Sequence, residues 1–138
     1  YIIILCIHVI ALGGDMKLSY PVLIMLLISL LAACSKETSV SFSKEILPIF
    51  KDSCFPCHQS GGAGEVASGL NLENYENVMK GTKLGPVILA GQSYASTIQV
   101  LVEHKADAEI NMPKGGVKLA SDKIEKIGKW IDQGAKNN

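Results

Sequence analysis

The pentapeptide Cys54-Phe55-Pro56-Cys57-His58 is the stretch on which the fold of this chain depends. A C-x-x-C-H spacing is typical of a covalent attachment site for c-type haem. Each thiol can bond to one vinyl group of the porphyrin, and the adjacent imidazole then lies beneath the iron as a ligand. The sequence therefore predicts one covalently bound haem c, attached at Cys54 and Cys57 and ligated by His58.

The cysteine pair could also belong to a zinc site or to a redox-active dithiol. A structural zinc site needs a complete tetrahedral ligand set, but no second cysteine pair follows, and His104 is the only later histidine. A thioredoxin-like dithiol is expected at a strand-to-helix junction in a βαβ pattern, which this sequence lacks. Haem attachment is favoured, and a haem-free thiol oxidoreductase stays as a remote alternative.

The N-terminal part of the chain has the pattern of an export signal. Hydrophobic residues make up 48% of the 138 residues, and many of them lie before residue 34. Met16-Lys17 precedes an apolar run at 22–33 that ends in Leu31-Ala32-Ala33-Cys34. A basic start, a short apolar run and small residues before the cleavage point indicate a secretory signal, and the run is shorter than the roughly 20 residues of a membrane-spanning helix. We predict a signal peptide at 16–33.

The end of this signal resembles a bacterial lipobox, in which the cysteine is acylated and becomes the new N-terminus. Cys34 would then anchor the protein in the lipid bilayer, and residues 34–42 would form a short polar tether to a folded domain at 43–138. The resemblance implies an exported, lipid-anchored protein on the periplasmic side of the cell envelope. Ser35 after the cysteine favours the outer membrane. An ordinary cleavable signal is the alternative.

Residues 1–15 precede this signal and contain a second apolar run, from Ile2 to Leu12. The chain starts with Tyr1, whereas Met16 stands at the start of the signal pattern. We expect residues 1–15 to lie upstream of the true translation start. A membrane hairpin formed by the two apolar runs is the alternative.

The charges exclude one class of partner. The chain carries 13 basic and 13 acidic residues, and its formal net charge is zero. Lysines outnumber acids six to three at 111–138, whereas acids outnumber lysines eight to five at 44–109. Without a strong basic excess or aromatics interleaved with cations, binding to nucleic acid is not expected. A solvated helix face explains the basic end better than a docking face for an acidic partner.

Apolar periodicity predicts an all-α chain of about four short helices. Helices are expected at 44–52 with Ser43 as N-cap, at 73–80 ended by Gly81, at 95–104, and from an N-cap at Ser121 to Gly134. The last one carries an apolar stripe of Ile124, Ile127, Trp130 and Ile131. The glycine-rich stretch at 61–64 is predicted to be a loop. The sequence shows no strand pattern and no second domain.

Three side chains could supply a second iron ligand. Met112 precedes Pro113 and two glycines, outside any predicted helix, and ordinary core packing explains it poorly. Met79 shares a helix face with apolar neighbours, which favours packing. His104 ends a helix between charged residues, which favours a solvated or capping histidine. We predict Met112 as the ligand, with His104, Met79 or an open position as alternatives.

The chain resembles the planctomycete-type cytochrome c domain, a branch of the c-type cytochromes, from about Phe42 to Ala135. The resemblance rests on the motif segments Ile46–Phe50, Cys54–His58, Ser68–Leu72, Met112-Pro113 and Trp130–Ala135. It implies a small cytochrome c-like fold around one covalently bound haem, with the first and last helices packed together at the haem edge.

The same resemblance assigns roles to single residues. Cys54 and Cys57 would be the thioether positions, His58 the proximal ligand and Met112 the distal ligand. Two positions depart from the family pattern. Gln59 stands where glycine is common, and Lys114 stands where a second proline often follows Met-Pro.

The function predicted from these observations is that of a monohaem cytochrome that carries single electrons between membrane-associated redox proteins. Such a carrier is not an enzyme, because electron transfer requires no general base or nucleophile. The alternative is a haem enzyme or ligand sensor, peroxidase-like, with an open sixth position on the iron.

Overall fold

The computed structural model describes residues 38–138. These residues form six α-helices joined by turns and loops, and this part of the chain contains no β-strand. The helices are α1 (Leu47–Ser53), α2 (Phe55–His58), α3 (Ala63–Ser68), α4 (Tyr75–Lys80), α5 (Thr97–Val102) and α6 (Ser121–Asp132). No helix within 38–138 combines the length and the apolarity needed to cross a bilayer. The predicted all-α class is confirmed.

The number of helices is higher than the predicted four because two short helices lack a clear apolar pattern. Helix α2 coincides with the C-x-x-C-H motif itself. Helix α3 begins inside the stretch at 61–64, so the prediction of a loop there was wrong. A side chain on Gly62 would place its Cβ 2.5 Å from the Cys57 carbonyl oxygen. This glycine therefore allows α3 to pack closely against the motif.

The first helical segment starts earlier than predicted. A π-helical turn at Phe42–Ile46 leads directly into α1, and its N-cap is Ser41, whose side chain accepts a hydrogen bond from the Lys44 N–H at 3.3 Å. The predicted N-cap, Ser43, was wrong. Its hydroxyl instead donates to the Asn138 carbonyl at 2.9 Å.

The compact unit described by the structure runs from Thr38 to Asn138, so it includes five residues that precede the predicted domain start at residue 43. Val40 and Phe42 are buried in the core, and the Val40 N–H donates to Gln133 Oε1 at 2.7 Å. Part of the segment expected to be a tether is thus held by the C-terminal end of the chain. The predicted signal peptide, the rest of the tether and Cys34 lie outside the described residues.

Helix α6 packs against the N-terminal turn. Its predicted apolar stripe is buried, and Gly134 follows it with a φ of +96°. The Phe42 and Trp130 rings lie 5.4 Å apart, and Lys126 Nζ lies 3.2 Å from Glu45 Oε1. Contact between the first and last helical segments, which the family resemblance implied, is therefore confirmed.

The start of α6 corrects one detail of the prediction. Ser121 is the first residue of the helix, and the N-cap is Ala120, which makes no side-chain hydrogen bond. The remaining two predicted helices are close to the observed ones. Helix α4 ends at Lys80 with Gly81 as its C-cap, and the predicted helix at 95–104 is observed as a 3₁₀ turn at Ser93–Ala95 followed by α5.

Candidate functional site

Two adjoining cavities lie in the interior of the domain, with volumes of about 390 and 140 Å³. The larger one is in the range typical of small-molecule and cofactor sites, about 300–1,000 Å³. Five residues line both cavities: Cys54, His58, Ser68, Val102 and Met112. The fold thus brings the C-x-x-C-H motif together with the methionine that the sequence singled out.

The first wall of this space is the motif segment, which we define as residues 54–72. Cys54 ends α1 and is the N-cap of α2. Its carbonyl accepts hydrogen bonds from the Cys57 N–H at 3.1 Å and the His58 N–H at 2.9 Å. One tight helical turn therefore places both sulfurs and the imidazole at the same wall. Both cysteines are free thiols, Cys54 partly buried and Cys57 exposed.

The electrostatics of the Cys54 thiol do not match those of a reactive cysteine. Burial raises the pKa of the Cys54 thiol to about 11, and the positive charge of Lys123 opposes this only in part. Reactive cysteines in thiol oxidoreductases have lowered pKa values, because the thiolate is the nucleophile. The structure therefore does not favour a thiol oxidoreductase.

The zinc-site alternative can be compared with the side chains that residues 38–138 offer. Within residues 38–138 there is no group of three or more His, Cys, Asp or Glu side chains that could hold a metal ion. A structural zinc ion needs such a group.

His58 is buried, and hydrogen bonds hold both its ring and its backbone. Its Nδ1 lies 3.0 Å from the Leu70 carbonyl oxygen, and because a carbonyl can only accept, Nδ1 carries the proton. The other nitrogen, Nε2, then keeps its lone pair available for a metal. The His58 carbonyl accepts a hydrogen bond from the Leu72 N–H at 2.8 Å. The ring is thus fixed in the tautomer that an iron ligand requires.

Gly64 in α3 keeps the end of this ring accessible. A Cβ at Gly64 would lie 2.8 Å from both Cε1 and Nε2 of His58 and 3.0 Å from the Cys57 carbonyl oxygen. Side chains do not approach each other so closely, so only glycine leaves Nε2 free in this arrangement. This role was not recognised from the sequence, although the glycine-rich stretch that contains Gly64 was the available signal.

Another wall belongs to the Met112 loop, which we define as residues 103–116. Met112 is half-buried, and its N–H donates to the Leu101 carbonyl at 3.1 Å. The Met112 carbonyl oxygen lies 3.0 Å from His104 Nε2, and it accepts the Nε2–H hydrogen bond. Of the three predicted candidates for the second ligand, Met112 is the one that borders the cavities. Met79 packs against the core, and the His104 ring is engaged with Met112.

The residues around the cavities fit a haem. A nitrogen donor and a thioether donor border the same apolar space, and two thiols lie at its wall. Imidazole and thioether are haem-iron ligands, whereas hard cations prefer oxygen. The two departures from the family pattern leave this arrangement intact, since Gln59 is exposed and Lys114 lies at the exposed rim of the larger cavity.

A comparison with protein families agrees with this geometry. The family model described as Planctomycete cytochrome C matches residues 54–123, just over half of the chain. The match begins at the first cysteine of the motif, includes Met112 and ends within α6. No curated protein and no solved structure matches the chain.

Proposed function

The chain belongs to the planctomycete cytochrome c family, and we propose that it is a single-electron carrier with one haem c. In this proposal Cys54 and Cys57 hold the haem through thioether bonds, His58 is the proximal ligand and Met112 is the distal ligand. One haem is proposed because the sequence contains a single C-x-x-C-H motif.

The observation that carries this proposal is that Met112 and His58 border one apolar cavity together with both motif cysteines. A bound haem supplies the one-electron chemistry. His58 offers its Nε2 lone pair, and Met112 offers a thioether, a ligand that raises the reduction potential of the iron. The apolar side chains around them exclude water from the iron. An electron carrier depends on this exclusion and does not need a general base.

The main alternative is a haem enzyme or ligand sensor with an open sixth position. The position of Met112 supports a filled sixth position, and a filled position suits electron transfer better than substrate chemistry. We therefore propose a carrier and not an enzyme.

We further propose that the protein is exported and anchored through acylated Cys34 on the periplasmic side of the outer membrane. The inclusion of Thr38 in the compact unit supports a position near the lipid, because residues 34–37 reach at most about 14 Å. Electron donors and acceptors would then be membrane-associated redox proteins. Partition of the full chain into detergent, and its loss in Cys34→Ala, tests the anchor.

An optical spectrum tests the ligand set. We expect protein made with the haem-attachment machinery to give a low-spin spectrum with a weak sulfur-to-iron band at the red end. Met112→Ala should remove that band and give a high-spin ferric protein that binds cyanide readily. A wild-type protein that is already high-spin would support the enzyme or sensor alternative.

A further inference from the structure

His104 stands in a backbone conformation that the proposed function does not explain. It follows α5 with a φ of +56°, and the Lys105 N–H donates to the Val100 carbonyl at 3.1 Å. The His104 N–H donates to the Leu101 carbonyl at 3.2 Å. These two bonds form a Schellman motif, whose left-handed position is usually glycine. The Schellman motif alone therefore does not explain why residue 104 is a histidine.

The side chain of His104 makes a contact that glycine could not make. The left-handed backbone directs the ring towards Met112, where Nε2–H donates to the carbonyl oxygen at 3.0 Å. The Met112 N–H is bound to the Leu101 carbonyl at 3.1 Å. Both backbone polar groups of Met112 are thus held, one by Leu101 in α5 and one by His104, which follows the C-cap of that helix.

We propose that His104 is a positioning residue for Met112. It holds the methionine backbone so that the thioether stays at the cavity, and it acts through Met112 without touching the haem. This inference rests on the proposed function, in which Met112 is the distal ligand. Without the hydrogen bond the loop opens more often, and an added ligand displaces the thioether more easily.

The test measures imidazole binding to the ferric holoprotein through the loss of the sulfur-to-iron band. His104→Gly suits the left-handed backbone and removes only the ring, so we expect an unchanged or higher melting temperature. Imidazole affinity should rise about three- to tenfold, the equivalent of one hydrogen bond. His104→Gln should keep an imidazole affinity close to that of the wild type, because the Nε2 donor of glutamine is the same number of bonds from Cα as the Nε2 of histidine.

Ala135→Gly is the matched control, since Ala135 also has a positive φ, +47°, but lies in the core cluster away from the Met112 loop. It should leave imidazole affinity unchanged. The proposal is overturned if His104→Gly changes the affinity by less than about twofold, or if His104→Gln behaves like His104→Gly. Met112→Ala separates the ligand assignment from the role of His104. A sulfur-to-iron band that survives in Met112→Ala refutes the assignment of Met112 as the ligand. Loss of the band in Met112→Ala, together with no effect of His104→Gly on imidazole affinity, refutes only the role of His104.

Discussion

The motif segment and the Met112 loop line the same cavity but hold their functional side chains differently. His58 is buried, and its ring is bound to a carbonyl within its own segment. Met112 is half-buried, and it is held through its backbone by Leu101 in α5 and by His104 within its own loop. The imidazole of His58 is thus held directly, by a hydrogen bond to its ring, whereas the Met112 thioether is positioned indirectly, through hydrogen bonds to its backbone.

This difference has a consequence for mutations. A change in the motif segment should disturb haem attachment itself, because the sulfurs and the imidazole share one helical turn. A change in the Met112 loop should leave the haem attached and alter the sixth ligand, since the loop contributes no attachment point. Variants in the two walls should therefore differ in kind as well as in size of effect.

The largest effect is expected from Gly64→Ala in the motif segment. The added methyl would lie 2.8 Å from the His58 ring. Overpacking of this kind destabilises a fold by about 1–3 kcal/mol. Because the displaced group is the proposed proximal ligand, we expect most haem-loaded protein to be lost, measured as haem absorbance per mole of polypeptide. Gly128→Ala in α6 is the control, since its neighbour is the Gln99 side chain. Equal haem content in the two variants would contradict the account.

Met112→His tests the other wall and should have a smaller effect. The haem should stay attached and low-spin, because imidazole can replace the thioether. The reduction potential should fall by a measurable part of the roughly 0.8 V range that axial ligands span. Potentiometric titration of both proteins measures this. An unchanged potential would show that Met112 is not a ligand, and loss of haem would show that the two walls are not separable.

Asn111→Ala should weaken the Met112 loop without altering a ligand. The buried Asn111 side chain accepts from the Ala106 N–H at 3.2 Å and donates to the Ala106 carbonyl at 3.0 Å. Loss of two hydrogen bonds corresponds to about 1–3 kcal/mol. We expect hydrogen exchange at the Ala106 amide to accelerate about tenfold or more, while exchange at the Leu72 amide in the motif segment stays unchanged. Equal acceleration at both amides would indicate one cooperative unit.

The smallest effect is expected for the melting temperature at low pH. Hydrogen bonds from Ser60 and Asn71 lower the pKa of Glu73 below its usual 4.5, and hydrogen bonds from Lys105 and Gln99 lower that of Glu103. A carboxylate whose pKa is lower in the folded than in the unfolded state stabilises the fold above about pH 4.5. This stabilisation is lost as the pH falls through the folded-state pKa. Glu73→Gln and Glu103→Gln should each reduce the drop in melting temperature between neutral pH and about pH 3.5. A drop as large as in the wild type would contradict these assignments.

The sequence predicted the motif segment better than the Met112 loop for a physical reason. C-x-x-C-H specifies its own helical turn, so Cys54, Cys57 and His58 could be placed together before the fold was known. The buried stripe of α6 was equally readable, because its apolar residues repeat with the helical period. Gly64 was misjudged, since a glycine inside a helix is visible only once its neighbour, the His58 ring, is in place.

Long-range partners were the part that the sequence could not provide. Ser43 looked like an N-cap, but its hydroxyl is bound to Asn138 at the other end of the chain. His104 looked like a helix cap, and its hydrogen bond to Met112 depends on the path of the loop between them. Local propensity does not encode such pairings, because they depend on the path that the chain takes between the two residues.

The central claim is that a haem is bonded to the sulfurs of Cys54 and Cys57. Intact-mass measurement of protein from a host with haem-attachment machinery, after extraction with acidic acetone, tests it most directly. We expect the wild-type protein to be heavier than the double variant Cys54→Ser/Cys57→Ser by the mass of one haem, after allowance for the two substitutions, because any processing or acylation of the chain is the same in both. A wild-type protein that shows no such mass difference would contradict the account.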